Sequence, residues 1–317
     1  MNYYMLLFGF VAGFVAGQPE PFKLGHLSGS ALWDHYYFDL NGRHRVLLDT
    51  GSAATWMVSD RALLGGFSTG RNPHVYACQE SLHYGVSGAA THGLQGSRCL
   101  ETVVSLGNHF SWKTKLVMSD RPVTWWHAQG IVGGSPESDF VKAFHSFTLV
   151  PKKGFHELHV GRYQPKRKCN HVPLVSRSAW MISGQVQIGS AVLKTNFVVD
   201  TGFPAGSVPH QLWDQALLEV QRKGGVLTGR RTGPYGHVIA NCNKSTLPVI
   251  VYEFSGCHGT TRVELPGAEF SEFRTDGSCV VHVIPHGPDD HSFLGVPFLK
   301  HITTRFSARH NRIGFCT

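Results

Sequence analysis

Asp49, Thr50 and Gly51 follow directly on the apolar run Val46-Leu47-Leu48, and Asp200, Thr201 and Gly202 follow Phe197-Val198-Val199 in the same way. A carboxylate leaving a core strand needs a partner or a purpose, because desolvating it alone is costly. At ordinary abundances of Thr and Gly, any given Asp begins such a triplet by chance less than about one time in a hundred. Two occurrences point to an internal duplication. Each triplet is also followed, at a comparable interval, by two apolar residues and a glycine, Ile131-Val132-Gly133 and Phe293-Leu294-Gly295. If the duplicated halves pack about a pseudo-twofold axis, the two turns meet there and place Asp49 and Asp200 within hydrogen-bonding distance. Two unit charges about 3 Å apart repel by roughly 5 kcal/mol at an effective dielectric of about 20. The pair therefore holds one proton and titrates as a unit. One ionised and one protonated carboxyl can take a proton from a water and give one to a carbonyl oxygen.

The elements that must position this pair are read from composition and pattern. A chain of 317 residues, 42% hydrophobic and only 16% charged, can bury a large core and is long enough for two lobes. Its 36 glycines and 16 prolines are spread along the chain, and few segments carry a long helical period, so an all-β class with a few short helices is expected. The first 17 residues form an apolar stretch ending in Val15-Ala16-Gly17, read as a cleaved signal peptide. No later segment is apolar for long enough to suggest a membrane span. The residues from Gln18 to Asp49 are about as many as a first strand and hairpin need, so no inhibitory prosegment is expected there.

Seven cysteines, at 78, 99, 169, 242, 257, 279 and 316, show no zinc-type C-x-x-C pairing and suggest disulfides of a secretory compartment, with at least one thiol left over. Asn243-Lys244-Ser245 is a glycosylation sequon consistent with that compartment. A formal charge of +8 raises the question of nucleic acid. The densest basic run, Lys166-Arg167-Lys168, follows Pro165 without the aromatic interleaving of a nucleic-acid groove, so no nucleic-acid partner is expected. Gly66-Phe67-Ser68-Thr69-Gly70 matches a nucleophile-elbow pattern but runs into Arg71-Asn72-Pro73, which cannot open the helix that such an elbow requires. His156-Glu157-Leu158-His159 has its histidines three apart and alternates like a strand, so neither a metal nor a cofactor is expected.

Taken together, LLDTGSAATWMVS, LHYGVSGAATHG, AQGIVGG, NFVVDTGFPAGSVP and SFLGVPFLKHITTRFSARHNRIGF resemble segments of the two-lobed, single-chain pepsin-like aspartic proteases. The resemblance implies a bilobal fold with a first lobe over 18–165 and a second over 166–317. It implies Asp49 and Asp200 as the catalytic pair, with Thr50, Gly51, Thr201 and Gly202 in the turns that hold them. Ser52 would hydrogen-bond the first carboxylate, Trp56 would pack beneath a hairpin flap, and Tyr84 would be the flap tyrosine. Cys242 and Cys279 stand where the second lobe of the family usually carries a disulfide. The implied activity is a secreted or endolysosomal, monomeric endopeptidase acting on extended polypeptides. Two departures stand out: the family usually has Asp where Gln129 stands, and it commonly has Thr or Ser after the second D-T-G, where this chain has Phe203. The second departure motivates the alternative, a catalytically impaired pseudoprotease that retains the cleft as a peptide-binding module.

Overall fold

The computed structural model describes residues 21–26, 36–42, 44–57, 75–84, 92–107, 109–119, 128–163, 165, 168–232, 236–286 and 291–317. The segment read as a signal peptide and the Gly66–Gly70 pattern lie outside these residues. Among them are 23 strands and three α-helices, so the chain is mostly β, as composition implies.

Each D-T-G leaves a strand buried on both faces, which explains the unbroken apolar runs before it. His44–Asp49 pairs parallel with Gly130–Gly133 on one side and antiparallel with Tyr36–Leu40 on the other. Ala191–Val199 repeats the arrangement, parallel to Ser292–Leu294 and antiparallel to Met181–Ile188. The two apolar-apolar-glycine segments are thus the parallel partners of the two motif strands. Both glycines are forced by crowding: a Cβ on Gly133 would lie 2.6 Å from Ala53 C, and one on Gly295 would lie 2.2 Å from the Phe203 carbonyl oxygen.

The strands form a 13-stranded sheet and a 10-stranded sheet. The larger one does not follow chain order. Its end is built by the hairpin Thr303–Ser307 and Arg312–Cys316, inserted between Ser146–Lys152 and Cys169–Pro173. Three strands that follow the 165/166 boundary therefore lie in the sheet of the first D-T-G. The core is continuous across this junction: Phe147 stacks on Phe306 at 4.5 Å, and Trp180 meets Phe306 edge-on at 5.1 Å. The strand Phe155–Val160 confirms the alternating reading of ELHV, with His156 fully buried and Glu157 paired to His159 on the other face.

Helices are few and locally specified. Asp139–Phe144 starts where the Ser138 side chain accepts from the Val141 N–H at 3.2 Å. His210–Arg222 buries Leu212, Trp213, Ala216 and Val220, an apolar stripe at helical spacing laid on the second lobe. Val296–Leu299 follows Gly295 directly, with Pro297 in its first turn.

Three disulfides tie the sheets: Cys78–Cys99, Cys169–Cys316 and Cys242–Cys279. Cys257 is an exposed free thiol, the unpaired residue that the odd count requires. Cys169–Cys316 joins two adjacent strands at a sequence separation of 147, against 37 for Cys242–Cys279. In the chain-entropy description these closures stabilise by about 5 and about 4 kcal/mol. Replacing Cys169 and Cys316 with Ala should therefore lower the denaturation midpoint at least as much as replacing Cys242 and Cys279. Urea titrations of the two variants check the order, and a non-reducing peptide map should recover all three pairs.

Candidate active site

Each D-T-G makes the same turn. The Ser52 N–H donates to the Asp49 carbonyl at 3.2 Å, and the Phe203 N–H donates to the Asp200 carbonyl at 3.3 Å. Each turn is then held by the segment that follows its parallel partner strand, the Ser135 N–H donating to Ser52 O at 3.0 Å and the Val296 N–H to Phe203 O at 2.9 Å. The duplication seen in the sequence is thus reproduced in these turn and anchoring bonds.

Between the turns lies a reciprocal brace. The Thr50 N–H donates to Thr201 Oγ1 and the Thr201 N–H to Thr50 Oγ1, both at 2.9 Å. Each hydroxyl then donates across the interface, Thr50 Oγ1 to Val199 O at 2.8 Å and Thr201 Oγ1 to Leu48 O at 2.6 Å. Both threonines are wholly buried. A threonine is suited to this place because one hydroxyl can accept and donate at once. Sequence reasoning placed both threonines in the turns but missed the brace between them; identical residues at equivalent places of a repeat were its available signal.

The brace sets the carboxyls of Asp49 and Asp200 side by side, so that the Gly51 N–H lies 2.8 Å from Asp49 Oδ1 and 3.2 Å from Asp200 Oδ1. The two glycines make this closeness feasible. A Cβ on Gly51 would lie 2.6 Å from Asp200 Oδ2, and one on Gly202 would lie 2.6 Å from Asp49 Oδ1, so each glycine is packed against the opposite carboxylate. Asp49 accepts from the Gly51 N–H at 2.8 Å and from Ser52 Oγ at 2.6 Å. Asp200 accepts from the Gly202 N–H at 2.8 Å and from the Gly51 N–H at 3.2 Å. Withdrawal from water, then the neighbouring Asp49, raises the Asp200 carboxyl well above the ordinary carboxylate range, and the two backbone donors only partly oppose this.

The turns differ at their fourth residue. Where the first has Ser52 donating to its carboxylate, the second has Phe203, which is buried with Ala205 and packs on Phe293 at 5.1 Å between ring centroids. The hydroxyl of Ser207 accepts from the Phe293 N–H. Among the described residues Asp200 therefore has backbone donors alone.

Trp56 is almost fully buried beside Leu47, Val117 and Ile131, with Tyr76, Cys78 and Cys99 of the strands Val75–Tyr84 and His92–Leu106 against the same cluster. Tyr84 ends its strand opposite His92, and its side chain lies outside what is described. Gln129 caps Arg45, its Oε1 accepting from the Arg45 N–H at 3.1 Å. Asn243 stands exposed in a tight turn, Oδ1 accepting from Ser245 Oγ at 2.6 Å, and has no part in holding the carboxyl pair. Among the described residues no group of three or more His, Cys, Asp or Glu side chains is arranged to hold a metal.

Among curated proteins none was found to match the chain. The family model of eukaryotic aspartyl proteases matches residues 144–317, more than half of the sequence. The matched stretch contains the second D-T-G, its parallel partner and the closing hairpin; the first D-T-G precedes it and reproduces its geometry. The chain belongs to the eukaryotic aspartyl protease family.

Proposed function

We propose that the protein is a secreted aspartic endopeptidase that hydrolyses extended polypeptides with a water activated between Asp49 and Asp200. The observation that carries this reading is the juxtaposition of two carboxyls, both reached by the Gly51 N–H, above the Thr50–Thr201 brace. A water lying against both carboxyls gives a proton to ionised Asp49 as its oxygen adds to the scissile carbonyl carbon. Asp200 gives its proton to the carbonyl oxygen, which leaves a neutral tetrahedral diol. Breakdown reverses the roles: the nitrogen of the leaving amine takes the proton from Asp49 while Asp200 recovers one from the diol. In this reading Tyr84 closes over the bound peptide, Trp56 supports the base of its hairpin, and Asn243 carries a glycan. The enzyme works as a monomer with lobes over 18–165 and 166–317, after loss of residues 1–17.

A second reading, a peptide-binding pseudoprotease, is favoured by one observation, the absence of a side-chain hydroxyl on Asp200 among its described partners. A pepstatin-type transition-state mimic separates the two, because a working pair binds such a mimic far more tightly than substrate. Micromolar or weaker binding, roughly that of a substrate peptide, would support the pseudoprotease.

Replacing either Asp49 or Asp200 with Asn should abolish peptide hydrolysis with the fold retained, since neither carboxyl can take the other's role. Retained turnover by folded Asp200→Asn protein would refute the assignment.

The raised Asp200 also predicts a stability change. Its folded pKa lies above the unfolded value, so the folded state binds more protons between the two, and stability is lost as pH rises through that window. Asp200→Asn removes the penalty at neutral pH. Its melting temperature should exceed that of the natural protein at pH 7 and lose the advantage below about pH 4, near the unfolded carboxylate value.

Activity should peak between roughly pH 5 and 7, because the carboxyl that must stay protonated does so at less acidic pH. Phe203→Thr should move the optimum of kcat/KM downward if its hydroxyl reaches Asp200. The substitution also empties a buried site at a cost of about 3 kcal/mol, so profiles belong well below the variant's melting temperature. An optimum below about pH 4 in the natural protein would reject the role given to Phe203.

A further inference from the structure

The closing hairpin turns one face to the core, with Phe306, Ile313 and Phe315 wholly buried there. Its other face carries cations. In the ladder both Arg305 and His171 stand opposite Gly314, one on each side. Arg312 lies two residues along the same strand and so on the same face. The missing side chain at Gly314 lets the His171 ring close over the strand: a Cβ there would lie 2.8 Å from His171 Nδ1 and 3.5 Å from Arg305 Cβ.

The polar groups on this face are unbalanced. Arg305 Nε, Arg312 Nε and His171 Nδ1 are buried without a hydrogen-bond partner among the described residues. Thr148, directly opposite Arg305 in the ladder and wholly buried, has its Oγ1 in the same condition. Burial pushes the His171 imidazole down to about 4, and Arg312, Arg305, His258 and His310 add to this, with no carboxylate among the groups acting on it. Burial and Arg312 likewise lower Arg305, again without an acidic neighbour. Arg309 and His310 extend the positive field along the turn of the hairpin. Exposed Lys168, the end of the basic run Lys166-Arg167-Lys168, leads straight into the strand of His171.

Like charges gathered in a partly buried place without a counterion are destabilising, and buried donors are nearly always satisfied in native proteins. An anion would remove both costs together. The donors come from three strands, so a tetrahedral group with several oxygens serves them better than a planar carboxylate, which suits a single guanidinium fork. We propose that the cationic face beside Gly314, formed by Arg305, Arg312 and His171, binds a sulfate or phosphate oxyanion. His258, His310 and Arg309 lie beside this face, and they would take further charges of a larger bearer.

The test is calorimetric titration of the full chain, at constant pH and in chloride of matched ionic strength, with sodium sulfate, sodium phosphate and a heparin hexasaccharide. Saturable binding is expected, weakened by about tenfold or more in Arg305→Gln and again in Arg312→Gln, each losing a charge-assisted hydrogen bond. Exposed His258→Glu, which cannot disturb the core, should weaken it as well by placing a carboxylate at the rim. Arg222→Gln, on the helix of the second lobe, should change nothing. Equal affinity for inorganic sulfate and for each hexasaccharide site identifies a free ion as ligand; hexasaccharide binding at least about tenfold tighter identifies a sulfated glycan. Absence of binding by all three, or binding unaltered in folded His258→Glu and Arg305→Gln proteins, overturns the proposal.

Discussion

The position of the two carboxyls depends on one set of four hydrogen bonds, those by which Thr50 and Thr201 exchange backbone N–H groups and hydroxyls and then reach Val199 and Leu48. Because both residues are wholly buried, each of these groups would be left without a partner if the lobes shifted by even a fraction of a hydrogen-bond length. The cost of that loss is what opposes the repulsion between two acidic groups held side by side. Everything above the brace follows from it: the glycines must be glycines because each faces the opposite carboxylate, and the partner strands must end in glycine because the turns pack on them.

The symmetry of this frame makes its single break informative. Backbone geometry is the same in the two turns, but the donors on the two carboxyls are not. Asp49 has a serine hydroxyl and an amide, whereas Asp200 has amides alone among its described partners, with an aromatic side chain filling the place of the hydroxyl. A pair of carboxyls related by near-perfect symmetry would share a proton evenly. In the proposed reaction the environment assigns it, and the acid and base roles would follow from packing at one residue rather than from any difference in the acidic groups themselves.

The brace has to be anchored in a rigid body. The closing hairpin supplies this by joining the sheet of the first motif, and Cys169–Cys316 ties the chain end to the strand that opens the second half. The aromatic stack of Phe147, Phe306 and Trp180 runs through the same junction. Trp180 also donates its indole N–H to Gly134 O at 2.7 Å, beside the first turn, so packing of the junction and position of the site are one structure.

The amino-acid sequence by itself determined the fold class, the duplication and the identity of the two aspartates. The physical reason is that these are local or periodic properties: apolar runs specify buried strands, glycines specify close approach, and a repeated triplet specifies a repeated turn. It also carried the Cys242–Cys279 pair through resemblance. Tertiary structure alone decided what depends on groups distant in the chain. The threonine brace joins residues 151 positions apart, and the Cys169–Cys316 bond joins residues 147 apart, neither inferable from local pattern. The closing hairpin's place in the first sheet is a crossover that no periodicity encodes. The cationic face beside Gly314 is of the same kind: Arg305, Arg312 and His171 look like scattered surface charges in the sequence, and only strand register sets them around one missing side chain.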